Sequence, residues 1–199
     1  MDLSALDNGH SGKRLLFVIS SVSGGGKTTV IGKLLEYMED LRLSVSHTTR
    51  KPRPGESEGL DYHFTSVQSF DQMIEEGLFL EWAQVYGYKY GTSRSAVDDI
   101  TGIGLDALLD IDVQGAMQVK GAREDAILIF LAPPGEEEQE RRLRRRGTES
   151  KDDVGKRLEA AMRELAFAEE YDYCVMNDDL NEAVHAVSCI IRAERCRNR

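Results

Sequence analysis

The segment Ser21 to Thr28, SVSGGGKT, has the residue types and order that suit the holding of phosphate. Glycines let backbone N–H groups curl round phosphate oxygens, and the start of a helix adds positive potential. Lys27 is placed to reach the β and γ phosphates of a nucleoside triphosphate, and the hydroxyl of Thr28 can ligate Mg²⁺. Strict phosphate loops begin with glycine where this chain has Ser21. If that position required a positive φ, a side chain would cost about 1 kcal/mol there, and the expectation is that serine is tolerated. Ser23, Gly24, Gly25, Gly26, Lys27, Thr28 and Thr29 are therefore the candidate residues for binding a nucleoside triphosphate, against the plainer reading of a glycine-rich turn.

A second concentration of charge is EEEQERRLRRR at residues 136–146. It sets Glu137, Glu138 and Glu140 four residues ahead of Arg141, Arg142 and Arg144, the favourable order for helix ion pairs. Part of this arginine run is thus helix support, although Arg142 and Arg146 are also four apart and share one face. Asp110, inside LLDID, suits a water-mediated contact to Mg²⁺ and almost equally a strand-end carboxylate satisfying nearby backbone.

These residues need a frame. Leu15 to Ser20 is a short apolar run with β-branched members, the glycines follow at once, and Lys27 to Asp40 has a helical pattern, so the loop joins strand to helix. Leu43 to Ser46 predicts a second strand. In the following HTTRKPRPGESEGLDYHF, Pro52, Pro54, Gly55 and Gly59 exclude a regular helix and predict an ordered loop or small hairpin. Residues 67–77 predict a short helix closed by Gly77, and LFLEWAQVYGYKYGTS a small β region. Leu105 to Ile111 and Ala126 to Leu131 read as buried strands, each followed by a helical pattern. Residues 135–146 and 151–170 predict two helices around Gly147, YDYCVM a last strand, and 179–195 an amphipathic closing helix. The alternation implies βαβ units and an α/β fold with a central parallel sheet flanked by helices.

Composition narrows the function. At 199 residues with 41% hydrophobic side chains, the chain can bury one substantial core, and one compact domain with mobile inserts is expected. It contains no run of about 18 apolar residues and no signal-like start, which gives a cytoplasmic location by default and no membrane partner. Residues 1–13 are expected to be disordered. Cys174, Cys189 and Cys196 are odd in number, widely spaced and not clustered with histidine, which argues against a disulfide framework and a zinc site. A net charge of −10 disfavours nucleic acid as a partner, so an anionic ligand must be gathered by local basic groups.

VSHTTRKPRPGESEGLDYHF, EWAQVYGYKYGTS, LLDIDVQGA, RRLRRRGTE and VMNDDL, in this order, resemble guanylate kinase of the bacterial single-domain type over about residues 14–192. That match is far more specific than the phosphate loop alone. The resemblance implies a P-loop nucleoside monophosphate kinase-like fold, with its core at about 14–46, 104–134 and 172–192, a small mixed-β GMP-binding lobe at about 47–97 and a helical lid at about 137–165. It implies transfer of a phosphoryl group from ATP to GMP, and to dGMP, giving ADP and GDP in purine nucleotide metabolism, with Mg²⁺ as cofactor.

The implied residue roles agree with the chemistry of guanine. Its N1–H and 2-amino group lie side by side as donors that a carboxylate accepts together, while O6 needs a donor. By resemblance Glu81 and Asp112 face the donor edge, and Ser46 and Thr92 supply hydroxyls toward O6. AMP would leave these groups unpaired, a mismatch of the kind that gives about 10⁴-fold rejection. The GMP phosphate falls to Arg50 and Arg53, three apart in a loop fixed by Pro52 and Pro54, with Tyr62 and Tyr90 adding hydroxyl donors. Arg142, Arg146 and Arg157 join Lys27 around the transferring phosphoryl group. Asn177 matches a position near the ATP adenine. Taken singly, each has a plainer alternative: Glu81 a solvated strand residue, Asp112 an N-cap before VQGA, Asn177 a cap or turn residue. A rival function is the guanylate-kinase-like binding module of scaffold proteins, which holds phosphorylated peptides without catalysis. The retained Lys27, Thr28, Arg142, Arg146 and Arg157 argue against it.

Overall fold

The computed structural model describes residues 14–85, 87–145 and 161–197. Strands β1 (Leu16–Ser21), β2 (Leu41–Leu43), β7 (Asp106–Asp110), β8 (Ile127–Ala132) and β9 (Tyr173–Met176) form a parallel sheet in the order β2-β7-β1-β8-β9. Side chains alternate across it, and each face has its own apolar layer. Phe17, Ile19, Leu108, Ile129 and Leu131 pack with Val30 and Leu34 of α1 (Lys27–Tyr37) and Val184 and Val187 of α7 (Leu180–Arg195). Leu16, Val18, Leu109, Leu128 and Phe130 pack with Val97 and Ile100 of α3 (Arg94–Gly102) and Ala116 and Val119 of α4 (Val113–Ala122). Burial on both faces is why these strands read as unbroken apolar runs and not as alternating ones. Arg195 on α7 reaches Asp106 at 2.7 Å and Asp40 at 2.6 Å, and Asp106 also accepts the Leu15 N–H at 2.8 Å.

A second sheet, in the order β4-β3-β6-β5, is built from β3 (His47–Thr48), β4 (His63–Phe64), β5 (Phe79–Val85) and β6 (Tyr88–Ser93). β5 and β6 pair antiparallel around Gly87, whose φ is 82°. β5 is an edge strand. There the Gln118 side chain of α4 accepts the Trp82 N–H at 3.2 Å and donates to the Trp82 carbonyl at 2.8 Å.

Several boundaries differ from the sequence expectations. The second strand ends at Leu43, and Ser44 to Ser46 are not in a strand; Ser44 only donates its N–H to Leu108 O at 2.9 Å. β3 and β4 pair parallel and so are not a hairpin, because the proline-containing loop carries the chain back before it pairs. α1 ends at Tyr37 and α2 (Val67–Glu75) two residues before Gly77, which has φ 66°. α3 lies where the sequence reading placed no element; only Val97 and Ile100 of its nine residues are buried, which leaves a weak apolar pattern. α5 spans Glu136–Arg145, and residues 161–165 (α6) are helical before a 3₁₀ turn at Ala166–Glu170. Residues 1–13 and 146–160, the latter including Arg146, Arg157 and much of the expected lid, lie outside the described residues.

Candidate active site

Parallel strands bring their C-terminal ends to one edge of the sheet, and β1 and β7 deliver Ser21 and Asp110 there. Ser21 stays extended as the last residue of β1, while positive φ falls on Gly24 (84°) and Gly26 (85°). The serine that departs from the strict loop pattern is thus at a position where a side chain carries no left-handed strain. Its space is left by Gly25, where an added Cβ would come within 2.8 Å of Ser21 Cβ. Gly26 is the N-cap of α1, so Lys27, Thr28 and Thr29 form the first helical turn, with both threonines exposed. Lys27 Nζ lies 2.8 Å from Asp110 Oδ1 and donates to Ile111 O at 2.6 Å. Asp110 is accordingly the partner of the loop lysine.

The loop is gripped from the far end of the chain. Asn177, buried just after β9, donates its amide to Gly25 O at 2.6 Å, and its own carbonyl accepts from Arg142 at 3.0 Å. Gln139 of α5 donates to Ser23 O at 2.9 Å, and the Glu164 carboxylate of α6 accepts the Ser23 N–H. Both helices flanking residues 146–160 therefore touch the same residue of the loop, one at its C=O and the other at its N–H. Arg142 is also held by Glu138 at 2.8 Å, the i,i+4 pair expected of this helix. The N-cap of α7 is Asp179, so Asn177 is not that cap. A cavity of about 380 Å³ opens here, with Gly24, Gly26, Thr29, Arg142, Asn177 and Asp178 in its wall. Another, of about 280 Å³, lies between α1 and α7 and contains none of the candidate residues.

The carboxylate of Glu81 is buried, within electrostatic reach of Lys27, and accepts the Thr92 N–H at 2.8 Å. Burial pushes it up to about 7; the charge of Asp112 adds to this, while the Thr92 hydrogen bonds and the charge of Lys27 oppose it. Glu81 is therefore not a solvated strand residue. The hydroxyls of Thr92 and Ser46 lie 3.5 Å apart. Asp112 does cap α4, accepting the Gly115 N–H at 2.8 Å, and at the same time it stands within electrostatic reach of Glu81. Four of the residues expected to surround guanine are thus in one place.

Arg50 is buried and forked onto Glu56 at 2.8 and 2.9 Å, with its guanidinium 5.3 Å from the centre of the Tyr62 ring and hydrogen-bonded to Tyr90. The Tyr62 and Tyr90 rings meet edge to face at 6.0 Å. Arg53 does not join through its exposed side chain; its backbone N–H donates to Glu56 at 2.7 Å. Arg50, then Arg53, holds Glu56 down at about 2. Burial raises Tyr62, and the charge of Asp110 adds to the effect.

Glu56, Gln139 and Glu164 are absent from the sequence reading. Glu56 carried a faint signal, an acid six residues after Arg50 in a loop whose prolines demand a fixed shape. Gln139 sits inside a charged helix and Glu164 inside an ordinary amphipathic pattern, and neither stands out by type or spacing.

The family model described as guanylate kinase matches residues 13–194. A guanylate kinase of Sphingopyxis alaskensis is 46% identical over 195 residues, covering 97% of this chain and 89% of that protein. One from Caldanaerobacter subterraneus is 46% identical over 183 residues, covering 92% and 89%. The crystal structure of guanylate kinase from Anaplasma phagocytophilum superposes with a TM-score of 0.77 at 35% identity, covering 96% of this chain and 91% of that one.

Proposed function

The chain belongs to the guanylate kinase family, and on that footing we propose that its two nucleotide sites meet between the phosphate loop and the small sheet. The protein is an ATP-dependent nucleoside monophosphate kinase that transfers the γ-phosphoryl group of ATP to GMP. A phosphate oxygen of GMP attacks the γ phosphorus, the bond from that phosphorus to the β–γ bridging oxygen breaks, and ADP leaves. GMP phosphate is already largely ionised at neutral pH, so no general base is required. dGMP serves as an acceptor too, since the groups assigned to the base and phosphate do not involve the 2′-hydroxyl.

The observation that carries the reading is that Lys27 and its partner Asp110 are linked to both clusters. Lys27 is paired with Asp110, which acts electrostatically on Tyr62 beside Arg50, and the lysine charge also reaches Glu81 beside Asp112. ATP phosphates on the loop and a GMP phosphate at Arg50, Tyr62 and Tyr90 would then face each other across Lys27. Guanine would lie on Glu81, Asp112, Ser46 and Thr92, and Lys27 would exchange Asp110 for the ATP phosphates. Arg142 is the described member of the lid arginines, and Arg146 and Arg157 are proposed to close with it. Asn177 shapes the adenine side of the ATP cavity, while its side chain holds Gly25.

The residues present also fit Mg²⁺. Thr28 offers a hydroxyl and Asp110 a carboxylate, hard oxygen donors suited to this ion, and no group of three or more acidic, His or Cys side chains among the described residues forms a metal cage. Thr28 would hold the ion directly and Asp110 through water, and the bound ion would neutralise charge on the β and γ phosphates. Among the described residues no helix is long and apolar enough to cross a membrane.

The relatives are named for the enzyme, and the chain keeps the loop lysine and threonine, which favours catalysis over the scaffold-type binding module. The test is ADP formation from ATP and Mg²⁺ with GMP, dGMP, AMP, CMP and UMP offered separately. Turnover should favour GMP over AMP by about 10⁴-fold and disappear in Lys27→Ala. GMP binding without turnover of any acceptor would overturn the reading.

A further inference from the structure

We infer that Gly115 is a positioning residue for guanine selection: its N–H holds Asp112, and its lack of a side chain leaves the volume that the Glu81 carboxylate occupies. The inference rests on the reading of Glu81 and Asp112 as the carboxylates that face guanine. Gly115 lies in the first turn of α4 and is buried. Its φ is not among the positive ones, so the backbone does not require glycine there. Glycine is also among the poorest helix formers, so its presence needs another reason.

The reason is distance. A Cβ at residue 115 would lie 2.5 Å from Glu81 Oε2, 3.2 Å from Glu81 Cδ and 3.3 Å from Ile111 Cδ1. The carboxylate cannot simply withdraw. Its other oxygen accepts the Thr92 N–H at 2.8 Å, and its strand is pinned to the same helix at Trp82 by Gln118. A methyl group at residue 115 must therefore push Glu81 off Thr92 or push α4 away from β5. The first disturbs the Thr92 hydroxyl, which stands 3.5 Å from that of Ser46. The second moves Asp112, which is capped onto Gly115 itself at 2.8 Å. Either way the relation between the carboxylates, and between them and the hydroxyls, is lost.

The decisive experiment compares Gly115→Ala, Glu81→Ala and the double variant with GMP and with IMP, which lacks the 2-amino group that a carboxylate would accept. Gly115→Ala should raise KM for GMP roughly 10- to 100-fold, narrow the preference for GMP over IMP by a similar factor, and leave KM for ATP within about twofold. In the Glu81→Ala background, with no carboxylate to displace, the same substitution should add less than about threefold. An unchanged GMP/IMP preference in Gly115→Ala overturns the inference, as does a full effect that persists without the carboxylate or an equal loss of ATP affinity. A Glu81→Ala variant with intact GMP/IMP preference refutes the carboxylate reading itself and is a separate result. If Gly115→Ala fails to fold, a soluble double variant still attributes the clash to Glu81, whereas two insoluble variants beside a soluble Glu81→Ala overturn it.

Discussion

Replacing Glu81 with glutamine should make the nucleotide-free protein more stable while depriving it of GMP. Burial raises this carboxyl from 4.5 to about 7, with the charge of Asp112 adding to the effect. In the unfolded chain it keeps its ordinary value. Between pH 4.5 and about 7 the folded protein therefore retains a proton that the unfolded chain has released. Stability must fall as pH rises through that window and stay reduced above it. At about 1.4 kcal/mol per pH unit, the penalty reaches roughly 3 kcal/mol by pH 8. Glutamine removes the charge but keeps an acceptor for the Thr92 N–H, so it relieves the penalty without orphaning its partner. Urea unfolding from pH 4.5 to 9 should show variant and parent nearly equal at the acid end. The variant should then lead by roughly 3 kcal/mol above pH 7.5, a rise of about 6–12 °C in Tm. GMP turnover should fall at least about 100-fold, because an amide can present a donor where guanine also presents donors. A stability gap that does not change with pH, or a variant weaker than the parent at pH 8, would refute the reasoning.

The loop makes two further predictions. Ser21→Gly should leave KM for ATP within about twofold, since Ser21 lies in β1 outside the positive-φ positions. Gly25→Ala, whose Cβ would meet Ser21 at 2.8 Å, should lower kcat/KM for ATP at least about tenfold. Combining the two should recover part of that loss, and steady-state kinetics in which the losses simply add would contradict the packing argument. Asn177→Ala leaves the Gly25 carbonyl without its 2.6 Å donor. An unpaired buried acceptor costs about 1–3 kcal/mol, so KM for ATP should rise about tenfold or more while KM for GMP stays within twofold. Equal changes in both would show that Asn177 supports the fold generally and not the loop.

The strands were legible because burial on both faces writes itself as a continuous apolar run, and β1, β7 and β8 fall within a residue or so of where those runs are. The loop was legible because glycine at Gly24 and Gly26 and lysine at Lys27 are demanded by backbone geometry and charge. The guanine-side residues came from resemblance: nothing in the spacing of Ser46, Glu81, Thr92 and Asp112 brings them together until β3, β5, β6 and the start of α4 are placed. What the sequence hid was partnership. That Arg50 is forked onto Glu56, that Asp110 pairs with Lys27, and that a glutamine and a glutamate meet at one residue of the loop are facts of three-dimensional neighbourhood with no periodic trace. The short β3–β4 pairing was hidden for a different reason, since strands of two residues are set by the loop between them and have too few side chains to form a pattern.

The amide of Gln118 has a consequence beyond catalysis. β5 borders the small sheet, and an uncovered border strand offers its N–H and C=O groups as a template on which another chain can pair. Gln118 answers both groups of Trp82, the middle residue of the seven in this strand, so one side chain stands in for a missing neighbour at the centre of the border. An incoming strand would find three residues on either side of an occupied position, each stretch too short to seed a ladder. The contact that joins α4 to β5 therefore also covers the middle of an open sheet edge, and a substitution at Gln118 tolerated in dilute kinetic assays should show itself as concentration-dependent aggregation.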